Sequence, residues 1–230
     1  MDYWKEHYNE NAAKFGSSLL KMVDMTLNGK EVDLAQVDLR VKAITQNLSL
    51  HKNDVLLDIC CGNGLLTDKL AGSVTHICGV DFSEGLIDVA KGKNRHANIS
   101  YELGDITKID LYKYPSINKI SVYAGLQYIT FEEFKSFLNK IVSHNKPLLV
   151  YCANVPDKEK LWNYYDTNEK KAFYLKREEE AKPHIGTWFI KSDIAQIAKS
   201  LGLFCKFLEI DEAMNTSYYR FDILFSKVSF

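Results

Sequence analysis

Two acidic residues at the ends of apolar runs carry the most chemical information in this sequence. Residues 54–64 read DVLLDICCGNG, so an apolar run ends in Asp58 and opens into a glycine-rich turn. A second run, HICGVD, ends in Asp81, 17 residues after Gly64. Such a turn brings backbone N–H groups close to a ligand, and a carboxylate at the next strand tip accepts hydrogen bonds from a ribose diol. The pattern predicts a site for an adenosine-containing cofactor.

The turn departs from the fingerprint of dinucleotide-binding sites. That fingerprint, G-x-G-x-x-G/A, needs a small residue three positions after its second glycine. Here Gly62-Asn63-Gly64 is followed at that position by Thr67, which is β-branched. A dinucleotide site stays open as a rival, but the pattern favours a different cofactor.

The segment D-x-C-C-G-N-G resembles motif I of the class I S-adenosylmethionine-dependent methyltransferases, D/E-x-G-x-G-x-G. The cysteine at the first glycine is similar to a variant found in small-molecule methyltransferases. The resemblance extends over residues 50–227, and it implies S-adenosyl-L-methionine as the cofactor. It also implies cofactor-binding roles for Asp58, Cys60, Gly62, Asn63, Gly64, Asp81, Phe82, Asp105, Ile106, Tyr123 and Ala124.

The resemblance assigns a part of the cofactor to several of these residues. Residues 58–64 would surround the methionine moiety, with Asn63 facing the ligand. Asp81 would hold both ribose hydroxyls, Phe82 would stack on adenine, and Asp105 would accept from the adenine amino group. Plain core packing for Phe82 and an ordinary strand-end acid for Asp105 are the alternatives.

A methyl acceptor would need positioning more than chemical help, because the sulfonium is already a strong electrophile. A hydroxyl acceptor would also need a general base. No spacing identifies that base. The catalytic candidates are Tyr128 and His184, with Gln127 as an orienting group. A structural or solvated role for His184 is the alternative.

Aromatic residues and one arginine gather in the last third of the chain. Aromatic walls with an arginine suit a sugar face, or a small polar molecule that bears a phosphate or carboxylate. For any one of these residues, packing in the core is the alternative. The predicted substrate-binding residues are Tyr128, Trp162, Tyr165, Trp188, Tyr219 and Arg220.

The N-terminal segment is polar and carries Tyr3, Trp4 and Tyr8. In enzymes that it resembles, an aromatic N-terminal segment closes over the sulfonium cofactor, whose charge aromatic faces attract. A hydrophobic staple against the main domain explains the same residues equally well. Both interpretations stay open.

Composition excludes several other classes of protein. The 29 basic and 30 acidic residues give a formal charge of −1, which lacks the footprint of a nucleic-acid binder. No apolar run approaches a membrane span, and the N-terminus carries no secretory signal. Five cysteines without C-x-x-C spacing indicate neither a disulfide framework nor a metal site. These features predict a cytoplasmic protein. As partners we expect a small-molecule acceptor, without nucleic acid or membrane, for a monomer or a homodimer.

The order of apolar and amphipathic segments predicts an α/β fold. Apolar runs occur at 55–60, 76–81, 99–105, 117–125 and 147–154, with helical segments at 64–71, 84–92, 131–144 and 192–201. Two further strands, 203–210 and 217–227, close the chain. We therefore expect a Rossmann-like doubly wound sheet of about seven strands with the last strand antiparallel.

Two further regions complete the predicted organisation. Residues 1–50 form an N-terminal helical cover, and 51–230 form the methyltransferase domain implied by the resemblance. Within it, residues 158–189 are charged, helical in pattern and longer than an ordinary connection. We expect a cap over the acceptor site there; a solvated excursion used for packing or dimerisation is the alternative.

The predicted function is S-adenosylmethionine-dependent methyl transfer to oxygen or nitrogen of a small polar acceptor, for example a sugar or surface-glycan precursor. One alternative is an N-methyltransferase of a phosphorylated amino alcohol. Another is a non-catalytic, cofactor-binding partner subunit. A nucleic-acid methyltransferase is disfavoured, because AGLQ stands where an N-P-P-Y or D-P-P-Y tetrad would be expected.

Overall fold

The computed structural model describes residues 2–229 and contains a seven-stranded sheet. Met1 and Phe230, the ends of the two predicted regions, lie outside the described residues. The strands, numbered along the chain after a small N-terminal hairpin (β1, β2), are β3 Val55–Ile59, β4 His76–Asp81, β5 Ile99–Leu103, β6 Lys119–Tyr123, β7 Leu149–Pro156, β8 Phe204–Leu208 and β9 Arg220–Ser226.

The sheet has the order β5-β4-β3-β6-β7-β9-β8. Neighbours from β5 to β7 pair in parallel, whereas β9 is antiparallel to both β7 and β8. The predicted Rossmann-like sheet with an antiparallel last strand is confirmed. Four of these strands, β3, β4, β6 and β7, were recognisable because parallel strands inside a sheet are buried on both faces and appear as continuous apolar runs, whereas β5 lies at the edge and is partly exposed.

Helices cover both faces of the sheet. They are α1 Asp2–Lys14, α2 Leu19–Met22, α3 Leu34–Asn47, α4 Leu65–Leu70, α5 Glu84–Lys93, α6 Phe131–Ser143, α7 Leu161–Tyr164, α8 Asn168–Glu179 and α9 Lys191–Ser200. In α6, Phe134, Phe137 and Ile141 recur at helical spacing and are fully buried against the sheet. The helix begins with a capping box between Thr130 and Glu133. None of the helices within residues 2–229 is long and apolar enough to cross a membrane.

The N-terminal region differs from the all-helical prediction. Its helices are interrupted by an antiparallel hairpin, in which β1 (Thr26–Leu27) pairs with β2 (Lys30–Glu31). The turn between them is Asn28-Gly29, and both residues have positive φ, 51° and 75°. Asn-Gly is a strong signal for a two-residue hairpin turn, so this local signal overrides the helical spacing around it.

Residues 158–189 contain α7 and α8 and are tied to the sheet at both ends. The Lys158 N–H donates to the Phe189 carbonyl at 2.8 Å, and the Phe189 N–H donates to the Pro156 carbonyl at 2.9 Å. The Thr187 N–H donates to the Gln127 carbonyl at 2.8 Å. The segment is therefore held by the end of β7 and by the connection between β6 and α6.

Candidate functional site

A cavity of about 750 Å³ opens at the carboxyl ends of the parallel strands. Its walls come from the glycine-rich turn after β3, from α1, from the segment 158–189 and from the loop before β9. Fourteen of the predicted cofactor, catalytic and substrate residues line it: Asp58, Cys60, Gly62, Asn63, Asp81, Phe82, Tyr123, Ala124, Gln127, Tyr128, Tyr165, His184, Tyr219 and Arg220. The topology thus gathers residues that are up to 162 positions apart into one place.

The glycine-rich turn depends on left-handed backbone conformations. Cys60 stands at the position of the first consensus glycine and has φ of 62°, and Gly62 has φ of 57°. A side chain at Gly62 would also lie 2.9 Å from Val23 Cγ1. The turn therefore tolerates cysteine at its first position, as a locally strained residue, while Gly62 admits no side chain without displacing the N-terminal region.

Asp81 is a buried carboxylate that organises the turn. Its Oδ2 accepts from the Gly62 N–H and its Oδ1 from the Ser83 N–H, both at 2.9 Å. Burial raises the pKa of Asp81 to about 6, while these backbone hydrogen bonds act in the opposite direction. Each oxygen keeps a further acceptor site, so the carboxylate can bind a pair of ligand hydroxyls without leaving its place.

Asp58 is fixed by two hydroxyl groups beneath the turn. Thr67 Oγ1 donates to Oδ2 at 2.6 Å, and Ser121 Oγ donates to Oδ1. Burial raises the pKa of Asp58, against the effect of these two bonds. Thr67, the residue that departs from the dinucleotide-binding fingerprint, therefore holds the Asp58 carboxylate from α4.

Other predicted cofactor residues are engaged with the protein itself. Asn63 donates through Nδ2 to the Leu19 carbonyl at 2.8 Å, so its amide holds the N-terminal region as well as lining the cavity. Gly64 caps α4, Ile106 is buried in the main core, and Asp105 accepts from the backbone and hydroxyl of Thr107 at 2.8 Å. Gly64, Asp105 and Ile106 are not part of the cavity wall, and their cofactor roles stay predictions.

The N-terminal helix α1 forms one wall and also packs on the main domain. Trp4 and Tyr8 are buried, and the Tyr8 hydroxyl is hydrogen-bonded to the Tyr128 hydroxyl. The Trp4 and Tyr128 rings lie 4.8 Å apart, and the Tyr8 ring packs edge-on against Phe82 at 6.1 Å. These contacts attach α1 to the main domain as a hydrophobic staple would, and closure of the same aromatic residues over the cofactor stays a prediction.

A chain of hydrogen bonds runs from α1 to the start of β9. Gln127 Nε2 donates to the Tyr128 hydroxyl at 2.7 Å, and Gln127 Oε1 accepts from Arg220 Nη1. Arg220 Nη1 also donates to the Asn154 carbonyl. Burial raises the pKa of Tyr128, so this hydroxyl stays protonated at neutral pH.

Tyrosines surround the part of the cavity near Arg220. The rings of Tyr164 and Tyr219 lie 4.6 Å apart, and those of Tyr164 and Tyr165 lie 4.9 Å apart. Trp188 packs behind Tyr219 at 6.0 Å and is not part of the wall. Trp162, predicted as a substrate residue, also stands outside the wall; its side chain is 47% exposed and packs against Tyr174.

His184 faces the cavity from the loop after α8. The Tyr165 hydroxyl and His184 Nδ1 are 3.3 Å apart. Burial, together with the neighbouring positive charge of Arg177, lowers the pKa of His184. The imidazole is therefore neutral at physiological pH and able to accept a proton.

The sequence reasoning missed Arg40, a buried cation in the cavity wall. Its guanidinium donates to the Tyr123 hydroxyl at 2.7 Å, to the Gln36 carbonyl at 2.6 Å and to Asn215 Oδ1 at 3.0 Å. Arg40 stands between Val37 and Ile44 on the buried face of α3. A charged residue on the apolar face of an amphipathic helix was the signal that could have found it.

Among the side chains that the structure describes, those of residues 3–229, no three of His, Cys, Asp or Glu are grouped as metal ligands. The five cysteines are free thiols.

Comparisons with known proteins agree with this geometry. Residues 56–148 match a family described as a methyltransferase domain. Demethylmenaquinone methyltransferase of Leptospira interrogans is 33% identical over 93 residues, which are 38% of this chain and 36% of that protein. Ubiquinone biosynthesis O-methyltransferase of Coxiella burnetii is 45% identical over 69 residues, 29% of each chain.

A solved structure extends the similarity to the whole fold. Magnesium protoporphyrin IX methyltransferase of Synechocystis with bound SAH matches with a TM-score of 0.59 and 16% identity, covering 99% of this chain and 94% of that one. The two curated relatives named above, in contrast, are matched over 36% and 29% of their length. Residues 56–148 are thus similar to a methyltransferase domain, and the fold built around them is that of the class I S-adenosylmethionine-dependent methyltransferases.

Proposed function

We propose that this protein transfers a methyl group from S-adenosyl-L-methionine to oxygen or nitrogen of a small polar acceptor. The observation that carries the proposal is Asp81, a buried carboxylate held by the glycine-rich turn at the wall of a cavity with room for two ligands. In enzymes of this fold the cofactor supplies an electrophilic methyl group, so the protein's main task is to hold the two partners in line.

The residues present suit that cofactor. Asp81 offers acceptor sites to a ribose diol, and Phe82, the next residue, also lines the cavity. The Arg40 guanidinium has no carboxylate within 4.0 Å among the described residues, which suits it to the methionine carboxylate. A carboxylate ligand would offset the cost of burying this cation.

We assign the other part of the cavity to the acceptor, with residues 158–189 as the cap over it. Its tyrosine wall suits a flat ring or the apolar face of a sugar, since aromatic rings offer large contact area together with a polar hydroxyl. The names of the curated relatives refer to quinones, so phenols belong beside sugars among the acceptors to be tested. The five free thiols suit a reducing, cytoplasmic setting.

For a hydroxyl acceptor, we assign proton removal to His184 rather than to Tyr128. His184 is neutral near pH 7 because burial and Arg177 lower its pKa. Tyr128 is a poor base, because its hydroxyl is buried and protonated; its bonds to Tyr8 and Gln127 make it a positioning group.

The test is formation of S-adenosylhomocysteine from S-adenosylmethionine with phenols, sugar phosphates and primary amines as acceptors. We expect turnover of a hydroxyl acceptor, and a loss of about 10²-fold or more in His184→Gln. His51→Gln, at a histidine whose side chain is 69% exposed, is the matched control and retains full activity.

Two other results would change the proposal. Turnover of amines alone, insensitive to His184→Gln, favours the N-methyltransferase of a phosphorylated amino alcohol. Binding of the cofactor with no turnover of any acceptor favours the non-catalytic partner subunit.

A further inference from the structure

Arg220 is a buried cation for which the described residues provide no counter-charge. Its side chain is 5% exposed, yet it lines the cavity. Among residues 3–229, whose side chains the structure describes, no carboxylate oxygen lies within 4.0 Å of its guanidinium nitrogens. Its hydrogen bonds go to neutral acceptors, the Gln127 side chain and the Asn154 carbonyl.

Part of the guanidinium has no hydrogen-bond partner at all. Arg220 Nε is buried and unsatisfied within the described structure. A buried charge is costly unless it is paired, and a buried donor is costly unless it is used. An anion entering the cavity would relieve both costs at the same side chain.

The carboxylates that line the cavity are committed elsewhere. Asp58 and Asp81 are held by the glycine-rich turn and its neighbours, and Asp24 is bonded to His7 at 2.8 Å and to Asn11 at 3.1 Å. Arg220 lines the cavity together with Arg177, whose Nε is also buried and unsatisfied. The acids of the cavity wall are therefore bonded to other groups, and none of them neutralises Arg220.

We propose that Arg220 binds a carboxylate or phosphate group of the methyl acceptor. This inference rests on the proposed function and narrows its acceptor to an anionic small molecule. The planar guanidinium matches the two oxygens of such a group, and it is stacked on the Tyr219 ring at 4.9 Å, which fixes its plane. The tyrosines at 4.6–4.9 Å from one another then contact the body of the acceptor.

The test uses the full chain saturated with S-adenosylhomocysteine and two pairs of matched probes. Benzoate against benzamide tests for a carboxylate, and phenyl phosphate against phenol tests for a phosphate. We expect the charged member of at least one pair to bind ten times more tightly than its neutral partner. The better of the two pairs identifies the anion.

Variants of Arg220 test whether this side chain causes the preference for the charged probe. Arg220→Gln is expected to remove the preference for the charged probe, and Arg220→Lys to retain part of it because the charge stays and the planar fork is lost. Arg95→Gln, an exposed arginine outside the cavity, is the control with an unchanged preference. If Arg220→Gln does not fold, the inference is tested by the wild-type preference for the charged probe and by the partial loss of that preference in Arg220→Lys.

Two results would overturn the inference. One is equal binding of charged and neutral probes by the wild-type complex. The other is an Arg220→Gln variant that loses tenfold in S-adenosylhomocysteine affinity, because the guanidinium would then hold the cofactor's own carboxylate. Failure of the wild-type chain to bind S-adenosylhomocysteine contradicts the proposed function instead, so the two failures are distinct.

Discussion

The residue that links the backbone of this domain to its proposed chemistry is Asp81. Its carboxylate is buried, accepts two backbone N–H groups and still has acceptor capacity towards the cavity. Sequence spacing predicted where Asp81 and the turn would lie, because the ends of adjacent parallel strands meet at one sheet edge. The partners of Asn63 and Arg40 were not predictable, since Leu19, Tyr123 and Asn215 are brought to them only by the folded chain.

Asp81→Ala is expected to weaken S-adenosylhomocysteine binding at least tenfold. The change removes a charged acceptor for two ligand hydroxyls and also two bonds that shape the turn. Calorimetric titration measures the affinity, with Asp88→Ala on the exposed side of α5 as the control of equal chemistry. Unchanged affinity in Asp81→Ala would refute the ribose assignment.

Cofactor affinity is expected to fall as the pH falls through about 6. Burial raises the pKa of Asp81 to about 6 in the ligand-free protein, and the ionised form is the better acceptor for ribose hydroxyls. Binding therefore favours the carboxylate, and protons compete with the ligand below that pKa. Titrations between pH 5 and about 7.5 measure the slope, and Asp81→Asn should make it flat. A wild-type affinity independent of pH over this range contradicts the assignment.

At the scale of elements, Gly79 in β4 packs closely against Tyr101 of β5 and against Cys61 of the glycine-rich turn. A Cβ at Gly79 would lie 2.6 Å from Tyr101 Cδ1 and 3.0 Å from Cys61 Sγ. The five parallel strands were predictable to within a few residues from their apolar runs. The hairpin at 26–31 was missed because its Asn-Gly turn lies between two segments of helical spacing, and residues 1–50 were predicted to be helical throughout.

Gly79→Ala is expected to lower the free energy of unfolding by about 1–3 kcal/mol, because the added methyl group overpacks the strand against Tyr101. Gly72→Ala is the matched control, since a Cβ there meets no atom within 4 Å. Its effect should be within about 1 kcal/mol of zero. Urea unfolding measures both, and equal effects of the two variants would show that the contact with Tyr101 carries no energy.

The attachment of α1 can be measured with a double-mutant cycle. Tyr8→Phe and Tyr128→Phe each remove one hydroxyl of the buried pair, so their effects on unfolding free energy should be coupled by about 0.5–1.5 kcal/mol. Tyr8→Phe combined with Tyr112→Phe, at a tyrosine that is 58% exposed, is expected to be additive. Additivity in the first cycle as well would mean that this hydrogen bond does not hold α1.

At the scale of the whole molecule, the cavity is an assembly of distant segments. The segment 158–189 reaches α1 through Arg177, which donates to the Tyr3 hydroxyl at 2.9 Å, and the loop before β9 reaches α3 through Asn215 and Arg40. Sequence periodicity predicts the helices of residues 158–189 but not which surface they meet, because that depends on contacts over long separations. The sheet and the position of the glycine-rich turn at its edge were therefore foreseeable, whereas the cavity wall formed by residues 158–189 and the loop before β9 was foreseen only in part.

The most direct test of the central claim is calorimetric titration of the purified chain with S-adenosylmethionine, S-adenosylhomocysteine and NADH in parallel. We predict that the first two bind with micromolar affinity, and that NADH gives no heat of binding. Binding of NADH alone would contradict the claim that the cavity binds S-adenosylmethionine, and would identify the glycine-rich turn as a dinucleotide-binding site. An absence of binding by all three would contradict the assignment of the cavity as a cofactor site.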